Sequence, residues 1–392
     1  MNKKDIVYKG FCFLMYVMRL FPIQKKVFGR GIKGRYSDNT MLIFEELKKD
    51  GSIKLVWDKS ENPDLSEIEG VKLVSFRNMV RMAYELSTSK VLITMTAMPL
   101  PFRKRKDQVI INTWHGGLGI KKVASDEGGQ SLHAKQKVEM TNQITDVFIS
   151  NSNHLSKVYR DSFGYKGPIW KCGYPKNDQL LDSKDEYKKK ICKYLNVSED
   201  IKFFLYAPTF RTAEEQYVKD VSCYKMDFVG VKKALEEKFG GEWQILVRYH
   251  PNLSNDSLEV PNLPFVKNVT SYPDMQDLIM ASEALVSDYS SCIFDGAISG
   301  LKCFLYATDY TDYKHLRGVY YALETLPFPF AENNVQMITN IMGYDEPQMK
   351  TCWYEFTAKM GLVVSGHATK DISEKITDVL NGKVTRWQNT DI

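Results

Sequence analysis

The chain has 392 residues, which is enough for two domains of ordinary size that each bury a core. Its 43% hydrophobic and 26% charged residues are typical of a globular protein and exclude a disordered or collagen-like chain. The formal net charge of +5 is too small to indicate nucleic-acid binding by itself.

The first 35 residues form a basic segment that contains one apolar stretch. Residues 1–35 hold nine Lys or Arg and a single acid, and the apolar run Phe11–Met18 lies between Lys9 and Arg19. That run is about half the length needed to cross a bilayer, and no small-residue cleavage site follows it. The pattern suits an interfacial helix on an anionic membrane surface. The alternative is a helix docked on the neighbouring domain.

Val- and Ile-rich runs alternate with helical patterns from the basic segment as far as Leu195. The predicted strands are Ile53–Trp57, Val71–Ser75, Val91–Met95, Val109–Trp114 and Val147–Ser150. The predicted helices are Thr40–Lys49, Met79–Leu86 and Lys184–Leu195. Such alternation predicts a parallel sheet with helices on both faces.

The same alternation restarts after Leu195. The predicted strands are Phe203–Thr209, Trp243–Tyr249, Ala284–Ser287 and Cys303–Tyr306, and the predicted helices are Val229–Phe239, Asp274–Ala281 and Cys292–Ser299. We therefore expect an α/β protein with two Rossmann-like domains that face each other across a cleft. The expected divisions are a basic segment 1–35, an N-terminal domain 36–195 and a C-terminal domain 196–392. Ligands of such sheets bind beyond the carboxyl ends of the strands.

Two histidines follow predicted strands, one in each domain. His115 is followed by Gly116 and Gly117, which allow a ligand to approach the backbone closely. His250 follows Arg248 at the end of another predicted strand. Each histidine is suited to removing a proton from a hydroxyl or binding a phosphate, and each could instead be structural.

The polar segment Ser287–Asp295 joins a predicted strand to a predicted helix. Near Ser290 and Ser291 it offers backbone N–H groups, hydroxyls and the positive end of a helix dipole to an anion. Ordinary helix capping explains the same residues and is compatible with anion binding. Arg211, which follows another strand, suits either a salt bridge or a fork for phosphate oxygens.

The sequence lacks the motifs that are typical of several other kinds of enzyme. The absence of an Asp-x-Asp sequence argues against a nucleotide held through a divalent metal, and we expect neither a metal nor a cofactor. Without a Gly-x-Ser-x-Gly elbow, a hydrolase is disfavoured. The glycine pattern Gly29–Gly34 follows only a weak strand pattern, so dinucleotide binding is not expected. Seven cysteines without a Cys-x-x-Cys pair predict reduced thiols and a cytoplasmic location.

The ordered set of motifs resembles the CDP-glycerol glycerophosphotransferase family, which includes teichoic acid primases and polymerases, over nearly the whole chain. The matching segments are Tyr36–Asn39, Asn112–Gly116, Ile120–Lys122, Tyr206–Arg211, Arg248–Pro251 and Ser287–Asp295, followed by Tyr306, Asp309, Tyr313, Arg317, Gly318 and Tyr320. The resemblance implies a GT-B fold, with CDP on the C-terminal domain and the acceptor entering from the N-terminal one.

The resemblance also implies roles for individual residues. His115 and His250 correspond to the catalytic histidines of the family. The residues taken as substrate-binding are Arg211, Arg248, Asp288, Ser290, Ser291, Asp295, Gly116 and Lys121. The family's usual His-Gly-Thr-Pro is His-Gly-Gly-Leu here, so we expect a polyol preference that is shifted from glycerol or looser.

Together these inferences predict a transferase that moves glycerol phosphate or ribitol phosphate from a CDP-polyol to a lipid-linked acceptor or a growing teichoic acid or capsular polymer, releasing CMP. We expect it at the inner face of the cell membrane, with an anionic lipid surface as a partner and no nucleic acid. One alternative is a GT-B glycosyltransferase that uses a UDP- or GDP-sugar. The other is a non-catalytic glycan-binding or scaffold protein.

Overall fold

The computed structural model describes residues 3–96, 102–128, 132–211, 224–249 and 259–383, without the side chains of residues 3–5 and 133. The described residues divide into two compact units. The first unit lies within Met1–Gly117, Ser131–Asp178 and Val363–Ile392, and the second lies within Leu118–Gln130 and Gln179–Leu362.

The described residues contain these helices and strands in chain order. The strands are β1 Gln24–Arg30, β2 Lys54–Asp58, β3 Val71–Val74, β4 Ser89–Thr94, β5 Val109–Asn112, β6 Val147–Ser150, β7 Ile169–Lys171, β8 Lys202–Tyr206, β9 Trp243–Val247, β10 Val266–Asn268, β11 Ala284–Ser287, β12 Lys302–Tyr306 and β13 Phe330–Ala331. The α-helices are α1 Lys3–Val17, α2 Asp38–Leu47, α3 Met79–Thr88, α4 Leu132–Ile144, α5 Asn153–Asp161, α6 Pro175–Asp178, α7 Asp185–Leu195, α8 Phe228–Phe239, α9 Met275–Ala281, α10 Cys292–Ile298, α11 Tyr310–Leu316, α12 Asn334–Met342, α13 Glu346–Met360 and α14 Ala368–Leu380.

The first unit is built on a parallel sheet with the strand order β3-β2-β1-β4-β5-β6-β7. Val27 of β1 pairs with Leu55 on one side and with Val91 on the other. Chain progression along the sheet reverses between β1 and β4. Ligand crevices form outside the carboxyl ends of strands at such reversals.

The second unit repeats this arrangement with the strand order β10-β9-β8-β11-β12-β13. Every pairing is parallel, and Phe204 of β8 pairs with Ile245 of β9 and Ala284 of β11. The reversal here falls between β8 and β11, so the residues that follow these two strands occupy the expected ligand-binding edge. Both parallel sheets are confirmed as predicted.

Strand β1 is central in the first sheet, although its sequence predicted only a weak strand. Lys26 is 2% exposed, and its Nζ lies 2.6 Å from Glu85 Oε2, so a buried ion pair allows a charged residue at this position. A Cβ on Gly29 would clash with the Phe44 ring. Residues Ile32–Gly34 form a single 3₁₀ turn rather than a helix. Packing therefore explains the first glycine of this pattern.

The compact units differ from the predicted domain limits at three places. Helix α7 belongs to the second unit, where Lys190 Nζ lies 2.7 Å from Asp277 Oδ2 of α9. Ile120, in the segment after β5, is fully buried in the core of the second unit. Helix α14 returns to the first unit, where the N–H of Ala368 donates to Asp178 Oδ1 at 3.1 Å. These tertiary contacts have no local signature in the sequence.

Helix α1 has one face packed on the first unit and one face exposed. Phe11 and Met15 are 2% and 1% exposed and belong to a core cluster with residues of α3. Phe13 and Tyr16 of α1 are 66% and 72% exposed, and Leu20, in the 3₁₀ turn Met18–Leu20 that follows α1, is 84% exposed. The docked-helix alternative is therefore confirmed for one face, and a contact between the other face and lipid stays a prediction.

Candidate active site

The turn that carries His115 follows β5. Trp114 has a φ of +51°, in the left-handed region that a bulky residue rarely adopts. Its N–H donates to Asn112 Oδ1 at 2.9 Å, and the centroid of its ring lies 4.4 Å from that of the His115 imidazole. The strained turn thus holds His115 beside an aromatic surface.

The His115 ring has a preferred tautomer in this setting. Its Nδ1 lies 3.3 Å from the backbone carbonyl oxygen of Met95, which follows β4. Because a carbonyl only accepts hydrogen bonds, this contact favours a proton on Nδ1. The neutral ring then carries its lone pair on Nε2, as a general base requires.

Lys176 and Asn39 support the same turn, and the sequence did not predict them as site residues. The Lys176 side chain is buried, and its Nζ donates to the carbonyl oxygen of His115 at 3.3 Å. Asn39 Nδ2 donates to the carbonyl oxygen of Trp114 at 3.3 Å, while its Oδ1 accepts from the N–H of Lys176 at 3.1 Å. The sequence feature that could have identified Lys176 is its position shortly after the strand β7.

Gly116 and Gly117 have structural reasons to be glycine. A Cβ on Gly116 would lie 2.8 Å from Trp114 Nε1. Gly117 has a φ of +48°, and a Cβ there would lie 3.2 Å from Asn151 Nδ2. The two glycines thus shape the His115 turn, and a contact between Gly116 and substrate stays a prediction.

Arg211 follows β8 and lies among acidic partners. Its side chain is 1% exposed, with Nη1 2.7 Å from Asp288 Oδ2 and 2.6 Å from the carbonyl oxygen of Thr209. Nε and Nη2 form a fork to the two carboxylate oxygens of Asp309, at 2.8 and 2.9 Å. Four of the five N–H groups of the guanidinium therefore already donate. Of the two alternatives left open by the sequence, this geometry matches the salt bridge.

Asp288 is likewise buried, and it connects the ends of β8 and β11. Its Oδ1 accepts from the N–H of Thr209 at 2.8 Å and from the N–H of Tyr289 at 2.6 Å. Together with the Arg211 ion pair, these contacts give both carboxylate oxygens partners within the protein. A direct contact between Asp288 and substrate stays a prediction.

Ser290 and Ser291 form the partly exposed turn between β11 and α10. Ser290 Oγ accepts a long hydrogen bond, 3.4 Å, from the N–H of Cys292. Ser291 stands at the N-cap position, and its side chain makes no capping hydrogen bond. The two hydroxyls are thus only weakly used by local structure, which leaves the anion-binding prediction for them in place.

Arg248 follows β9 and extends the pairing with β8, because its N–H donates to the carbonyl oxygen of Tyr206 at 2.9 Å. Its positive charge acts on Asp274. Burial and the charge of Asp277 raise the pKa of Asp274, and Arg248 opposes that shift. The prediction for His250 lies outside the described residues.

Asp295 and Lys121 occupy two further positions in the second unit. Asp295, on α10, is buried and its Oδ2 accepts from Gln276 Nε2 at 3.3 Å, a partner that the sequence did not predict. Lys121 forms an antiparallel bridge with Val319, and the N–H of Tyr320 donates to the carbonyl oxygen of the residue before Lys121 at 2.8 Å. The structure thus joins the segments of Lys121 and Tyr320, both of which matched the family.

A metal site was not expected from the sequence. Within the described ranges, no group of three or more His, Cys, Asp or Glu side chains is placed to hold a metal ion. The polar groups described at the strand ends are hydroxyls, carboxylates, amides, lysines, arginines and the imidazole of His115.

Two parallel-sheet α/β units with polar residues at the strand ends fit the GT-B class of folds. The chain belongs to the CDP-glycerol:poly(glycerophosphate) glycerophosphotransferase family, whose sequence pattern it matches over residues 15–378. The family and the fold class predicted from the sequence are therefore confirmed, and the chain is an enzyme of this transferase family.

Individual relatives agree with this assignment. The teichoic acid poly(glycerol phosphate) polymerase of Bacillus spizizenii is 26% identical in an alignment that covers 96% of this chain and 98% of that protein. A polymerase of the same name from Staphylococcus epidermidis is 29% identical over 331 residues, and the match spans 80% of this chain but only 45% of that protein. The solved structure of the wall teichoic acid polymerase TagF is similar with a TM-score of 0.82 at 25% identity, covering 97% of this chain and 96% of that one.

Proposed function

We propose that this chain transfers a polyol phosphate from a CDP-polyol to a hydroxyl of a lipid-linked acceptor or growing cell-surface polymer, releasing CMP. The observation that carries the proposal is the placement of family-matched residues directly after β5, β8, β9 and β11 on two parallel sheets. Relatives named as poly(glycerol phosphate) and poly(ribitol-phosphate) polymerases support either polyol as the donor group.

His115 is proposed as the general base. The acceptor oxygen attacks the phosphorus that carries the polyol, and the bond from that phosphorus to the bridging oxygen of CMP breaks. The acceptor proton passes to His115 Nε2, and CMP leaves with the electron pair of the broken bond. A positioned base of this kind typically contributes about 10²–10⁴-fold to the rate. Phosphoryl transfer otherwise depends mainly on positioning and charge.

The donor phosphates are assigned to residues of the second unit. Ser290 and Ser291 offer hydroxyls, while Arg248, Lys121 and His250 supply donors that can carry positive charge. Each preorganised donor aimed at developing charge is worth on the order of 10²-fold.

Peripheral membrane association through the exposed face of α1 is part of the same proposal. Phe13 and Tyr16 are exposed on a helix whose other face packs on the first unit, and Leu20 is exposed in the 3₁₀ turn that follows this helix. Basic residues in 1–35 favour an anionic surface. None of the helices in the described ranges has both the length and the apolar character needed to cross a membrane.

A donor panel tests the proposed reaction. The protein is incubated with a lipid-linked acceptor, a chelator, and CDP-glycerol, CDP-ribitol, UDP-glucose or GDP-mannose in turn, with His115→Ala as the control. We expect CMP release from a CDP-polyol, with a glycerol preference weakened by the absence of a side-chain hydroxyl at Gly117. Turnover of only a UDP- or GDP-sugar would establish the glycosyltransferase alternative instead. No turnover of any of the four donors would count against the proposed reaction.

A further inference from the structure

The buried cluster around Arg211 joins the ends of three strands. Arg211 follows β8, Asp288 follows β11 and Asp309 follows β12, and both carboxylates contact the one guanidinium at 2.7–2.9 Å. Asp309 stands at the N-cap of α11 but makes no side-chain capping hydrogen bond, because its oxygens accept from Arg211 and from Tyr289. The ion pairs therefore fix the ends of strands that are distant in sequence.

Two aromatic rings complete this cluster. Tyr289 and Tyr313 stack with ring centroids 3.6 Å apart and an interplanar angle of 7°, and the guanidinium carbon of Arg211 lies 4.8 and 5.2 Å from their centroids. Tyr289 Oη donates to Asp309 Oδ1 at 2.9 Å. Burial, followed by the charge of Asp309, raises the pKa of Tyr289, which keeps this hydroxyl a neutral donor. The two residues before Ser290 are thus both fixed by the cluster, because Asp288 pairs with Arg211 and Tyr289 donates to Asp309.

The charge of the cluster indicates an indirect role. One guanidinium and two carboxylates sum to −1, and a phosphate placed against them would meet a net negative charge. A residue that gripped phosphate would need free N–H groups, yet four of the five on Arg211 donate within the protein.

On the basis of the proposed function, we infer that Arg211, Asp288 and Asp309 are positioning residues for the transfer reaction. They hold the Ser290–Ser291 turn in the geometry that the donor phosphates require, without contacting the donor. Lysine cannot replace Arg211 in this role, because a point charge cannot reproduce a fork to Asp309 and a further bond to Asp288.

A double-mutant cycle of Arg211→Lys and Asp309→Asn separates positioning from direct binding. If the cluster positions the turn, each variant lowers kcat by about 100-fold, and the double variant is no worse than the more severe single one. If Arg211 bound phosphate directly, Arg211→Lys would weaken CDP-glycerol binding, whereas Asp309→Asn would strengthen it by removing a negative charge. Opposite effects on the calorimetric Kd, or additive losses of kcat, would overturn the inference.

Amide hydrogen exchange of the unliganded protein tests the same inference independently of the reaction. We expect faster exchange at residues 288–291 and 310–316 in both variants. Tyr289→Phe removes only one hydroxyl and serves as the control for global unfolding. It should give a smaller change in the same segments. Glu85→Gln breaks a buried ion pair in the other unit and should leave these segments unchanged. Unchanged exchange in Arg211→Lys would refute positioning, whereas failure of wild-type turnover would count only against the proposed function.

Discussion

Replacement of Phe13, Tyr16 and Leu20 together by serine should release the protein from anionic membranes without unfolding it. The three side chains are 66–84% exposed, so their loss leaves the core intact, while Phe11 and Met15 keep α1 docked. Full burial of such a side chain is worth about 2 kcal/mol, and half immersion at an interface about 1 kcal/mol. The triple variant should therefore bind vesicles about 3 kcal/mol more weakly, which is roughly a 100-fold change in affinity.

Sedimentation with vesicles of graded anionic lipid content measures this change. The double variant Val335→Ser with Tyr354→Ser changes two side chains of the second unit that are 75% and 69% exposed. It serves as the control and should bind like wild type. Wild-type binding should weaken as salt rises, because the basic residues act through screened electrostatics. Equal sedimentation of wild type and the triple variant would refute the reasoning. Truncation before residue 21 is a poorer test, since it also removes the buried Phe11 and Met15.

Three further predictions concern the site and its pH dependence. His115→Ala should lower CMP release by about 10²-fold or more with an unchanged melting curve, and retention of more than about a tenth of the activity would rule out its role as base. Ser290→Ala with Ser291→Ala should weaken CDP-glycerol binding in calorimetry relative to Ser299→Ala at the other end of α10; equal affinities would move the phosphate site elsewhere. Burial lowers the pKa of His154 to about 4, so the unfolded chain takes up a proton below about pH 6.5 that the folded chain rejects. The free energy of unfolding should therefore fall by about 3 kcal/mol between pH 6.5 and 4. His154→Gln should reduce this loss. The same pH dependence of the free energy of unfolding in the wild type and in His154→Gln would contradict the reasoning.

The central buried strands were predictable because their sequences are continuous apolar runs. Ile110 and Ile111 of β5, like Leu285 and Val286 of β11, are fully buried, as parallel strands covered on both faces require. Strand β1 was predicted only weakly, because its buried Lys26 is stabilised by an ion pair with Glu85, which lies 59 residues away in the sequence. A local pattern does not record such a partner.

The candidate site shows the same division between local and tertiary information. The position of Ser290 between strand and helix follows from the local pattern alone. For Arg211, the sequence left a salt bridge and a phosphate fork open, because the deciding partner, Asp309, is 98 residues further along the chain. Lys176 became a candidate only when the fold placed its ammonium group against the carbonyl of His115.

The mass of the acceptor after reaction is the most direct test of the proposed transfer. A defined lipid-linked acceptor is incubated with CDP-glycerol or CDP-ribitol and chelator, and the acceptor mass and the CMP released are both measured. The proposed function predicts that the acceptor gains one polyol phosphate for each CMP formed, and that His115→Ala forms neither product. An unchanged acceptor accompanied by free polyol phosphate and CMP would show hydrolysis, and an acceptor that gains mass only from a UDP- or GDP-sugar would show glycosyl transfer; either result would contradict the proposal.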